Sequence, residues 1–146
     1  MRLQISTQLA IFAVLELTAR AGEHLSVADI GEKYGVSSHH LAKVMHVMGR
    51  AGLVRSVRGA GGGYQFAGNA RRTTLLDVVQ LFEDPNSAEP EGGAADATAE
   101  GQALRQVLSE IDDIARATLG SITIATMRKL VERSGGVRQT RNGQSR

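Results

Sequence analysis

The 146-residue chain contains no cysteine. Disulfides, thiolate-held zinc and iron–sulfur clusters bound through cysteine are therefore excluded from its chemistry. There is no tryptophan, and only three phenylalanines and two tyrosines, so aliphatic packing between helices must build the core. A hydrophobic content of 42% is ample for a core, and the length fits one domain or a compact domain with an appended element. No apolar run approaches the roughly 18 residues of a membrane span. The opening MRLQISTQLAIFAVLEL has one early arginine, then Gln4, Ser6, Thr7 and Gln8, and Glu16 interrupts its apolar run. It reads as a helix of a mature cytoplasmic protein, not as a signal peptide. The two signs of charge nearly balance, 17 Lys/Arg against 15 Asp/Glu for a net of only +2, but they are unevenly spread. Residues 1–83 carry nine Lys/Arg against six Asp/Glu, residues 84–110 one against six, and residues 111–146 seven against three. A basic first part, an acidic middle and a basic end suit a chain that meets a polyanion with part of its surface.

The most informative stretch is SSHHLAKVMHVMGRAGLVRSVRGAGGGYQF, from Ser37 to Phe66. Ser37 is a good N-cap, since its hydroxyl can accept from a backbone N–H left orphaned in a first helical turn. Leu41, Val44, Met45 and Met48 follow at i, i+3, i+4, i+7, an apolar stripe for the core. His39, Lys43 and His46 lie on a different, polar and partly cationic face. Gly52 stands where a C′ glycine would end the helix. Leu53–Val57 is a β-branched run suited to a strand, Arg58–Gly62 cannot continue it, and Gly63–Phe66 is the return strand. A capped helix with a basic face, joined to a hairpin with arginine and glycines at its tip, is the layout of a winged helix-turn-helix. The helix suits a major groove, and the tip lets backbone N–H groups approach phosphates, with Arg58 placed to enter a minor groove. GAGGG is not a nucleotide phosphate loop: it lacks the G-x-G-x-x-G spacing and does not lead from a strand into a helix.

The remaining elements fit around this unit. Gln8 to Arg20 is expected as a first helix, apolar on nearly every side and so buried on more than one face. Ser26 with Asp29 forms a capping-box-like pair opening a second helix, which Gly35 closes before a tight turn into Ser37. Thr74 with Asp77 opens a further helix with the stripe Leu75, Val78, Val79 and Phe82. Residues 84–101 hold both prolines and no strong apolar residue, and read as a mobile acidic loop. Gln102 to about Leu119 is a long helix with Leu104, Val107, Leu108, Ile111 and Ala115 along one side, like a short coiled-coil seam. A short last helix is expected through Val131, followed by a disordered basic tail.

Ser26 to Phe66, with TTLLDVVQLFE after it, resembles the Rrf2 family of bacterial transcription regulators, which includes IscR, NsrR and CymR types. The most specific block is AGLVRSVRGAGGGY, and MRL, VSSHHLAK and GSITIATM are most similar to the NsrR branch. The resemblance implies an all-α fold with a small β-wing, a homodimer whose long helices cross, and repression from partly palindromic promoter DNA. The expected division is a winged helix-turn-helix DNA-binding domain over 1–83, the acidic loop over 84–101, a dimerisation helix with a short final helix over 102–132, and the tail over 133–146. The expected DNA-binding set is Ser37, Ser38, His39, His40, Lys43, Arg55, Arg58, Gly59, Gly61 and Gly62.

One departure is plain. Sensing members of the family hold an iron–sulfur cluster through three cysteines before the long helix, and those positions fall near Glu91, Asp96 and Gln102 here. The first-helix position that supplies an acidic ligand in some relatives falls at Gln8. Whether the cysteines are naturally absent or were removed, no cofactor is expected. An acidic loop is also the expected role of Glu89, Glu91, Asp96 and Glu100; were a hard cation bound, Glu91 and Asp96 would be its candidate ligands. The input is then a small molecule between the winged domain and the long helix, or a protein partner on that helix. An interaction module that keeps the winged fold but acts through a protein partner is the alternative. An enzyme is not expected, because no nucleophile–base pair, metal triad or phosphate loop can be assembled.

Overall fold

A computed structural model describes residues 2–59, 61–83 and 93–142, with side chains described up to Gly135. The elements are α1 (Ile5–Ala19), α2 (Val27–Tyr34), α3 (Ser38–Arg50), β1 (Val54–Val57), β2 (Gly63–Phe66), α4 (Leu75–Val79), a 3-10 turn (Ala94–Ala97), α5 (Ala99–Ser121) and α6 (Ile124–Asn142). The fold is mostly helical with one small antiparallel sheet.

The local signals read from the sequence do set the first helices. The Ser26 hydroxyl accepts from the Asp29 N–H and the Asp29 carboxylate accepts from the Ser26 N–H, closing a capping box on α2. The Ser37 hydroxyl accepts from the His40 N–H to start α3. At the other end of α3 the Leu53 N–H reaches the Met48 carbonyl and the Gly52 N–H the Gly49 carbonyl, a Schellman closure around left-handed Gly52. Thr74 and Asp77 repeat the capping box on α4. Leu41, Val44, Met45 and Met48 of α3 are buried against Val14 and Leu17 of α1, Ile30 of α2 and Val78 of α4 within one core.

Three boundaries differ from expectation. Helix α1 begins at Ile5 rather than Gln8, because its first turn is capped from far along the chain: Glu83 Oε1 accepts from the Gln4 N–H at 2.8 Å and from the buried Thr7 hydroxyl at 2.7 Å. Of the segment expected as a mobile loop, residues 84–92 lie outside the described residues; Ala94–Ala97 form the 3-10 turn, and α5 starts at Ala99 with Thr98 as its N-cap. This turn packs so closely on α5 that a Cβ on Gly101 would lie 2.0 Å from the Ala95 carbonyl oxygen. Helix α6 continues to Asn142, past the expected end at Val131 and into the expected disordered tail. That segment contains no proline, and Arg and Gln favour helix, so glycines costing about 1 kcal/mol each relative to alanine do not end it. Glu89 and Glu91 lie outside the described residues, as do residues 143–146.

Two backbone bridges fix the ends of the architecture. Leu25 and Tyr64 exchange hydrogen bonds of 3.0 and 2.8 Å, an isolated antiparallel bridge that docks Leu25 on β2. Thr74 and Thr123 form the second bridge, through Leu75 N–H to Ile122 and Ile124 N–H to Thr73, both 2.9 Å. The latter clamps the α5–α6 junction to the start of α4, with Ile124 fully buried. No helix among the described residues is long and apolar enough to cross a membrane.

Candidate nucleic-acid interface

The outer face of α3 is the first half of the site. Ser37, Ser38, His39 and Lys43 are exposed, and His46 and Arg50 extend the same row at i+7 and i+11 from His39. The row holds no acidic side chain, and α3 has none in its first turn. Ser37 spends one acceptor position on the α3 cap, which leaves its O–H free to donate. His40 is set apart from the others: it is half-buried, with Nε2 3.3 Å from the Ser6 hydroxyl, and ties α3 to α1.

The hairpin is the second half. Val54 pairs with Phe66, Arg55 with Gln65, Ser56 with Tyr64 and Val57 with Gly63. Val54 is buried and Tyr64 and Phe66 pack on the core, so this face anchors the wing. At the tip Gly59 and Gly61 have φ of 120° and 73°, and the Gly62 N–H closes a turn onto the Gly59 carbonyl at 2.9 Å. A Cβ on Gly62 would lie 2.6 Å from the Val57 carbonyl oxygen, so side chains are excluded there and backbone is presented instead. Arg58 is exposed and makes no ion pair among the described residues. Arg55 is placed differently. Its Nε and Nη2 donate to Gln65 Oε1 at 3.3 and 2.9 Å, across the strands. His24, which the sequence did not single out, lies beside the wing tip: its Nε2 is 3.9 Å from where a Gly61 Cβ would be. Only the Leu25–Tyr64 bridge reveals that neighbour, and no local pattern signals it.

Behind the site, Glu16 of α1 accepts from the Tyr34 hydroxyl at 2.6 Å and from the Lys33 ammonium, and Tyr34 stacks on Phe12 with ring centroids 4.8 Å apart. Burial works to raise the Glu16 carboxyl, but the Lys33 and Tyr34 hydrogen bonds, with the charges of Lys33 and Arg20, outweigh it and hold it below its ordinary value. Burial first, and then the bond and charge of Glu16, push the Tyr34 hydroxyl up. This cluster fixes α2 on α1, and hence the angle at which α2 delivers α3.

A basic helix face leads through a glycine closure into a glycine-tipped hairpin, and the same arrangement is met in known proteins. The model of the Rrf2 family, described as iron-dependent transcriptional regulators, matches residues 3–129. This chain belongs to the Rrf2 family. It is 48% identical over 132 residues to the HTH-type transcriptional regulator BadM of Rhodopseudomonas palustris, covering 90% of this chain and 84% of BadM. Among solved structures it is similar to T. potens IscR, with a TM-score of 0.74, 27% identity, and coverage of 92% and 90%. It is likewise similar to CymR (YrzC), the global cysteine regulator of B. subtilis, with a TM-score of 0.73, 26% identity, and coverage of 89% and 98%. As an Rrf2 regulator the chain is a DNA-binding transcriptional regulator, and neither the family nor these relatives are enzymes.

The donors present bear on the iron in the family description. A thiolate-held cluster does not fit a chain without cysteine. At the positions where relatives carry ligands, Asp96 is ion-paired to Arg105 at 2.7 Å and Gln102 is exposed on the first turn of α5. The Gln8 amide donates to the Leu3 carbonyl at 3.0 Å. Among the described residues no three His, Asp or Glu side chains are grouped as metal ligands.

Proposed function

We propose that this regulator acts as a homodimer on a partly palindromic operator, repressing by occupancy of the promoter, and that its input bypasses a thiolate-held iron–sulfur cluster. One observation carries the dimer. Helix α5 has no buried residue, yet Leu104, Val107, Leu108, Ile111 and Ile114 recur along one side and are 61, 51, 53, 54 and 67% exposed. Their a/d spacing over one face is the pattern of a helix that meets another helix, and so much contiguous apolar surface is uncommon on a monomer. A second copy of the same stripe is its simplest complement, since a two-fold interface is self-complementary. Two winged domains held by crossed rods then offer two α3 helices to successive major-groove faces.

The test is light scattering of the purified protein together with a footprint on the DNA upstream of its own gene. The expected outcome is a dimer, and two protected half-sites about one helical turn, roughly 34 Å, apart. A monomer that leaves DNA unprotected in dilute buffer overturns the proposal. Protein capture without DNA protection would favour the interaction-module alternative.

A further inference from the structure

A cleft of about 340 Å³ opens at the root of the wing, between the C-terminal end of α1 and strand β2. It lies against α1 and not against the long helix α5. Its volume is at the small end of the roughly 300–1,000 Å³ range of ligand sites. Leu17, Ala21, Phe66 and Ala70 give it an apolar lining, and Glu23 and Arg55 bring one charge of each sign.

The two charges are what make the cleft specific. Among the described residues the Glu23 carboxylate has no hydrogen-bond or ion-pair partner, so it does not neutralise Arg55. Gln65 engages two of the five guanidinium N–H groups of Arg55, which fixes the fork and leaves three donors for an anion. The last carbonyls of α1 carry partial negative charge, and Arg20 at the same helix end carries a full positive one. The Thr18 hydroxyl spends its proton on the Val14 and Leu15 carbonyls and so can offer the cleft only acceptor lone pairs. The cleft thus holds one fixed cationic fork, one carboxylate backed by a helix C-terminus, and an apolar wall.

We infer that this cleft binds a small zwitterionic amino acid with an aliphatic side chain, its carboxylate on Arg55 and its ammonium on Glu23. Such a ligand touches α1 and the wing at once, so it favours one setting of the wing over others. The inference is independent of the dimer and operator, since it concerns only the single chain.

Isothermal titration of the full chain with three probes tests it: L-leucine, 4-methylpentanoate, which lacks the ammonium, and 3-methylbutylamine, which lacks the carboxylate. L-leucine should bind one per chain, and each single-charge analogue roughly tenfold or more weakly, because a charge-assisted bond is lost. Glu23→Gln should weaken L-leucine by a similar factor while leaving 4-methylpentanoate unchanged; Glu23 is exposed, and a thermal melt checks that the variant folds. No heat from L-leucine at millimolar concentration overturns the inference. So does equal binding of all three probes, or an unaltered L-leucine affinity in folded Glu23→Gln.

Discussion

Replacing Ile111 with glutamate puts a carboxylate in the middle of the α5 stripe. The Ile111 side chain is 54% exposed in the single chain, so docking against a second copy can remove about half of its surface from water. Full burial of an isoleucine is worth roughly 1.5–3 kcal/mol, which leaves about 1 kcal/mol per copy for the interface. Ile111→Glu forfeits that in both copies. It also forces two carboxylates into a desolvated seam, at an effective penalty of several kcal/mol each. Together these exceed about 5 kcal/mol, which raises the dimer dissociation constant by roughly a thousandfold or more. Sedimentation equilibrium across a concentration series reads this directly. Far-UV circular dichroism should be unchanged, since α5 contributes no buried residue to its own chain's core. Operator affinity should fall with the dimer, to that of one winged domain. Ser109→Glu, on the opposite side of α5, is the control and should do neither. If Ile111→Glu sediments like the parent protein and binds the operator equally well, the stripe is not the interface.

Lys43→Ala should weaken operator binding by about 1 kcal/mol or more in a fluorescence-anisotropy titration, because it removes a cation from the exposed α3 row. Arg58→Ala should flatten the dependence of log affinity on log salt by about one unit, the counterion release of one phosphate contact. Gly63→Ala should loosen the wing: its Cβ would sit 2.4 Å from the Leu25 carbonyl oxygen, so the Leu25–Tyr64 bridge must open, and amide exchange at Tyr64 should accelerate. Glu16→Gln has a pH signature. The Glu16 carboxyl is lowered from 4.5 on folding, so its stability contribution is in place above 4.5 and is lost as pH falls through the folded-state value. The urea-midpoint gap between Glu16→Gln and the parent should therefore be wide near pH 7 and narrow progressively as pH falls below 4.5.

The parts legible in the sequence are those whose cause is local. Ser26 with Asp29, Ser37, and Thr74 with Asp77 cap helices through residues three apart, and Gly52 ends α3 in its own turn. The wing strands could be read because β-branched and aromatic residues flank a glycine run that no strand can contain. What escaped was set by distant partners. Glu83 starts α1 from 76 residues beyond Thr7, and nothing near Ile5 signals it. The acidic, alanine-rich stretch before Gln102 looks like loop, yet Thr98 and Gly101 let it fold back onto α5. Within the candidate site the cationic row could be read from spacing alone. The docking of His40 on Ser6, the turning of Arg55 toward Gln65, and the nearness of His24 to the wing tip are tertiary facts.

The Thr74–Thr123 bridge makes α5 a cantilever. Its 23 residues span roughly 35 Å, and the end that is gripped is the one at Ile122 and Ile124. A tilt of about 5° at that grip sweeps the free end through about 3 Å, on the length just given. Ala70, whose carbonyl accepts from the Ala125 N–H at 2.8 Å, ties the helix that follows α5 to the same winged body. The gearing between the winged body and whatever grips that tip is thus written into two short hydrogen-bonded crossings beside α4.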